Sequence, residues 1–209
     1  MTTGRSAVIR GTALAVLLLC TVPATATGTT ATDTLRPAID EVVRILGDPA
    51  LTGAAKTPAR RAALRRVIEP VVDFPEAARR ALALHWRGRT EAERVEFIAL
   101  FKDLVTSSYI LQLEPYAGER IVFIGEAEHD RSTTVFTKVL ARRGPVPIDY
   151  RMHQTPDGGW LVYDVLVEGV SLVGNYRAQF NTIVQTSSYA ELVRRIKVRI
   201  AELTGASAA

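Results

Sequence analysis

The sequence predicts an α+β fold in a single domain: a run of consecutive antiparallel strands with helices before and after it. Apolar residues recur at helical spacing through both flanks. Between them, from Arg120 to Val167, the pattern changes to short β-branched and aromatic runs broken by Asp157-Gly158-Gly159, a tight turn. The length of 209 residues fits one core, and 47% hydrophobic with 23% charged residues is an ordinary globular composition.

Taken in order, Arg5 and Arg10 precede an apolar run, Ala13 to Leu19, and then Ala24-Thr25-Ala26. A charged segment, an apolar segment and small residues in that order predict a secretory signal over residues 1–26, cleaved after Ala26. The run is too short to span a bilayer, which needs ~20 residues. Cys20, the single cysteine, lies inside it behind Leu17-Leu18-Leu19, where lipid attachment wants a small residue. The mature chain then has no disulfide, thiolate metal site or cysteine nucleophile.

Residues 27–32 are small and polar and predict a flexible leader, residues 33–205 the single domain, and 206–209 a disordered tail. Leu35, Ile39, Val42, Val43 and Leu46 predict a first helix ending near Gly47-Asp48-Pro49. Thr57-Pro58 opens a second carrying Leu64, Val67, Ile68 and Val71, and a short helix follows over 76–84. Thr90 and Glu93 form a capping box for the longest helix, with a stripe of Phe97, Ile98, Phe101, Leu104, Val105 and Tyr109. Strands are predicted at Ile121–Ile124, Thr133–Leu140, Pro147–Met152 and Trp160–Val167. Two helices follow, one with Leu172, Val173, Tyr176 and Phe180, the other with Tyr189, Leu192, Ile196 and Ile200.

Little in the sequence points to chemistry. His85, His129 and His153 have no partner at metal-ligand spacing, and neither a phosphate-binding glycine loop nor a Gly-x-Ser-x-Gly elbow occurs. Without Arg5 and Arg10 the formal net charge falls from +4 to +2. The arginine pairs are dispersed, which speaks against nucleic acid and for a solvated face, with transient docking to anionic headgroups as the alternative. The best catalytic candidates are Asp149 and the Tyr163-Asp164 pair, since a carboxylate in an apolar sheet pocket could serve as a general base. Strand alternation turns Asp149, Arg151 and His153 away from the face of Ile148, Tyr150 and Met152. The protein is therefore expected to be a binding protein without cofactor, metal or catalytic group.

The segment Val162 to Phe180, VYDVLVEGVSLVGNYRAQF, resembles the signature of the MlaC-like (toluene-tolerance) family of periplasmic phospholipid-binding proteins. Phe74, Trp86 with Thr90, Tyr116-Ala117-Gly118-Glu119 and Ile148-Asp149-Tyr150-Arg151 extend the likeness over nearly the whole mature chain. The resemblance implies an NTF2/cystatin-like arrangement, a twisted antiparallel sheet of about four or five strands against a layer of helices, with an apolar cavity between them for a phospholipid's acyl chains. It also implies a periplasmic location and two partners: an inner-membrane ABC transporter containing an MCE-domain protein, and an outer-membrane lipoprotein complex.

Such a carrier answers a physical need. Two chains of about fifteen methylenes at ~0.8 kcal/mol each sum to ~24 kcal/mol, and as a barrier this gives escape at roughly 10⁻⁵ per second. The lining expected from the pattern is Phe97, Phe101, Val105 and Tyr109 from the long helix, Ile148, Tyr150, Val162 and Leu166 from the sheet, and Val170, Leu172, Val173 and Tyr176 from the signature. Ordinary core packing would explain each equally. Glu168, Asn175 and Arg177 are expected to cap or brace the sheet-to-helix turn, with headgroup recognition as the alternative. A carrier of another apolar lipid such as a hopanoid, an NTF2-like enzyme and an envelope adaptor remain as alternatives.

Overall fold

The computed structural model describes residues 29–113 and 118–205. The signal segment with its cleavage point and Cys20, the tail at 206–209, and Tyr116-Ala117 lie outside the described residues. Helix α1 (Ala31–Leu46) starts on a capping box, in which Thr30 Oγ1 accepts from the Asp33 amide and Asp33 accepts from the Thr30 amide. The helix thus begins inside the leader expected at 27–32. Thr32, through both its amide and its hydroxyl, donates to Glu126 at 3.0 and 2.7 Å, so a long-range contact orders residues whose composition reads as flexible.

Helices α2 (Thr57–Ile68), α3 (Phe74–Leu82) and α4 (Glu91–Leu113) follow, the last opened by the Thr90–Glu93 box: the Glu93 amide donates to Thr90 and the Thr90 amide to Glu93. Strands β1 (Arg120–His129), β2 (Ser132–Ala141), β3 (Gly144–Gln154), β4 (Trp160–Val167) and the two-residue β5 (Val170–Ser171) form one antiparallel sheet in chain order. Helices α5 (Leu172–Thr186) and α6 (Tyr189–Thr204) complete the chain. Among the described residues no helix is long and apolar enough to cross a membrane.

Strands β1 and β3 run well past their apolar patterns. The extra residues of β1, Gly125 to His129, are mostly exposed and are held by backbone pairing with Ser132 to Phe136. Hydrophobic alternation cannot reveal a segment that is stabilised by a partner's backbone.

Three apolar clusters result. The largest joins α3, α4, α5 and α6 around Phe97, Phe101, Phe180 and Leu192. A second sets Ala31, Leu35 and Ile39 of α1 on Val135, Met152 and Val162 of the sheet. The third joins α1, α2 and α4 through Ile45, Leu46, Leu64 and Ile110.

Candidate functional site

Strand register assigns the sheet's two faces. Ile121 pairs with Val139, Val135 with Tyr150, Ile148 with Val167, Met152 with Val162, and Val167 with Val170. Directly paired residues share a face, so one side of the sheet is apolar across all five strands. Its two halves differ. Toward Val135, Met152 and Val162 it is fully buried beneath α1, with Ile121 packed against that cluster, whereas Val139, Val146, Ile148 and Val167 are only half-buried and Val170, at its edge, is 61% exposed. Tyr150 lies between the halves, hydrogen-bonded to Thr137, and burial pushes its phenol up to about 12.

The opposite face carries Asp149, Arg151, Asp164 and Leu166, as alternation predicts for Asp149 and Arg151. Asp164 is 5% exposed and fully engaged: Ser171 Oγ donates to it at 2.6 Å, the Val173 amide at 3.0 Å, and Arg151 at 3.4 Å. A carboxylate so occupied is a brace that holds the capping Ser171 and the first turn of α5. Among the described residues no group of His, Cys, Asp or Glu could hold a metal ion.

These contacts explain the signature segment. Glu168 and Gly169 both take positive φ, 52° and 80°, as a two-residue hairpin turn between β4 and β5 requires. Ser171 then caps α5 by accepting from the Gly174 amide at 2.8 Å, and a Cβ on Gly174 would come within 2.9 Å of that same hydroxyl oxygen. Asp164 ties strand, cap and helix together. The braces expected of Asn175 and Arg177 are absent from this junction: Asn175 accepts from Gln179, and Arg177 lines a cleft described below. Asp164, weighed in the sequence only as a catalyst, is the residue whose structural role the pattern missed.

The expected lining residues separate into three groups. Ile148, Tyr150, Val162 and Val170 share the apolar sheet face. Phe97, Phe101, Val105, Val173 and Tyr176 belong to the helical cluster, where Phe101 meets Tyr176 and Phe180 edge-on at 5.6 and 6.1 Å. Leu166 lies on the sheet's other face, while Leu172 and Tyr109 are half-buried. The Tyr109 phenol is raised well above its usual range, chiefly by burial and further by Tyr176 and Asp164 nearby.

On the polar face, between α3, the following turn and the start of α5, lies an open cleft of about 570 Å³. Arg79, Arg80, Arg87, Arg151 and Arg177 line it, together with Tyr163, Trp86 and Leu84. The Arg80 guanidinium stacks on the Tyr163 ring at 4.0 Å.

The MlaC protein family model matches residues 36–198. Among solved structures, a phospholipid-binding protein from Ralstonia solanacearum, determined in complex with a phospholipid, is similar with a TM-score of 0.73 and 26% sequence identity. The match covers 83% of this chain and 98% of that one.

Proposed function

Because the chain belongs to the MlaC family, we propose that it is a periplasmic carrier that holds a phospholipid by its acyl chains and moves it between an inner-membrane MCE-domain/ABC transporter and an outer-membrane lipoprotein complex. The family and the phospholipid carried by the Ralstonia solanacearum protein support a binding and transport protein rather than an enzyme. The observation that carries the reading is the apolar sheet face, packed by α1 at one end and left half-buried at the other.

Half-buried aliphatic side chains on one continuous face can be covered by lipid chains without disturbing the packed half, and no polar group there needs a new partner. The acyl chains then lie along Val139, Ile148, Val167 and Val170, with Ile121, Tyr150 and Val162 marking the inner limit. Phe97, Phe101, Val105, Val173 and Tyr176 serve as the wall that holds α4 and α5 in place. Tyr109, close to Tyr176, adjoins that wall. The segment over residues 1–26, with its charged, apolar and small-residue parts, supports export to the periplasm and cleavage after Ala26.

The test is native mass spectrometry of the mature protein purified from envelope fractions, followed by extraction and identification of any bound lipid. One phospholipid per protein is the expected result. A hopanoid would change the cargo, and a clean apo mass that persists after incubation with phospholipid vesicles would contradict lipid carriage.

A further inference from the structure

The arginine-lined cleft lies on the face opposite the one proposed to hold the acyl chains. Five guanidinium groups converge on it, and the nearby carboxylates are already committed. Glu76 binds Arg79 and Arg80, each at 2.7 Å, and Asp164 is occupied by Ser171, Val173 and Arg151. Counting these two and Asp73, whose charge also reaches Arg79 and which is bonded to His153, the cleft keeps a formal charge of +2. Arg87 and Arg177 line it with no carboxylate partner among the described residues. The first turn of α5 also faces the cleft, adding the positive end of its dipole, though Asp164 and Ser171 take the amides of Val173 and Gly174.

Beside this charge stands Leu84, 81% exposed, on the turn Ala83–His85. Ala83 holds φ at 47°, a conformation rare for a residue with a side chain, and the turn directs Leu84 outward beside the half-buried Trp86. Guanidinium groups bind phosphate in two-pronged fashion, and a concave site of this size accommodates a headgroup. An acidic peptide would use the charge and leave Leu84 in water. A bilayer interface uses both, the headgroups meeting the arginines and the apolar boundary receiving Leu84.

We propose that this cleft is a membrane-docking site that receives the phosphate of an anionic phospholipid headgroup in a bilayer, with Leu84 entering the interface beside it. Docking here is independent of cargo on the opposite face, so the two ideas fail separately. The test is flotation of the mature protein with vesicles of phosphatidylcholine, with and without phosphatidylglycerol, at two salt concentrations. Native mass spectrometry of the same preparations reports cargo.

Wild type is expected to bind the anionic vesicles at least about tenfold more tightly, with the advantage lost at high salt. The double variant Arg87→Gln/Arg177→Gln should lose about tenfold or more of that binding, and Leu84→Asp a smaller part, both with unchanged thermal midpoint and cargo. Equal binding to the two vesicle types, or a double variant that binds like wild type, would overturn the proposal. So would binding of a polyglutamate peptide, without vesicle binding, by a site that needs Arg87 and Arg177, since the partner would then be an acidic protein segment.

Discussion

The helical cluster and the apolar sheet face are both hydrophobic, yet only one is finished. In the first, Phe97 and Phe101 are 0% and 1% exposed and Phe180 closes on both, with ring centroids 5.8 and 6.1 Å away. In the second, Val139, Val146, Ile148, Val167 and Val170 keep part of their surface. Large aromatic side chains on a helix draw attention in a sequence, but here they fill the space they occupy. Smaller aliphatic residues, spread over several strands, form the half-buried surface on which the proposed cargo would lie.

The comparison breaks most visibly by mutation of the finished region. Phe101→Ala should cost about 3–5 kcal/mol, seen as a lower denaturant midpoint, because close-packed rings cannot collapse into the space. The folded fraction should still carry its lipid; loss of lipid at unchanged stability would move the binding surface into the helices. Next in size is Asp164→Ala, which removes the acceptor for the Ser171 hydroxyl and the Val173 amide and should cost about 2–3 kcal/mol. Hydrogen exchange should then show the first turn of α5 opening before the sheet does.

Alkaline titration sharpens the contrast at the boundary between the two halves of the apolar face. The Tyr150 phenol is raised from 10.0 to about 12, so its neutral form is favoured in the folded state. Stability from this group is complete below pH ~10 and falls as pH rises toward 12, by up to about 2 kcal/mol. Tyr150→Phe should flatten that part of the profile. The smallest stability change belongs to Val139→Thr with Val167→Thr, which keep the branched shape at half-buried sites and should cost under about 1.5 kcal/mol together. Their expected effect is instead on lipid retained through purification, which should fall; retention equal to wild type would place the chains elsewhere.

Much of the architecture was legible. The Thr90–Glu93 box, the span of β4 and the flanking helices follow from local patterns that the tertiary structure leaves intact. The full length of β1 was not, because Gly125 to His129 depend on backbone pairing rather than on burial. That Ile148 and Val162, both expected to line the site, share one sheet face could be read from alternation, whereas the difference between packed Met152 and half-buried Ile148 depends on where α1 ends its cover. Nothing local foretold the arginine cleft. Arg80, Arg151 and Arg177 come from three separate elements, and among many arginine pairs only folding selects those that converge.

The claim that the half-buried sheet face holds the acyl chains is tested most directly with a phospholipid carrying a photoactivatable group at the end of one chain. After loading, irradiation and digestion, mass spectrometry locates the labelled residues. The account predicts adducts among Val139, Ile148, Val167 and Val170, with Phe97 and Phe101 unlabelled. Labels concentrated on Phe97, Phe101 or Phe180, with the sheet residues clear, would contradict it.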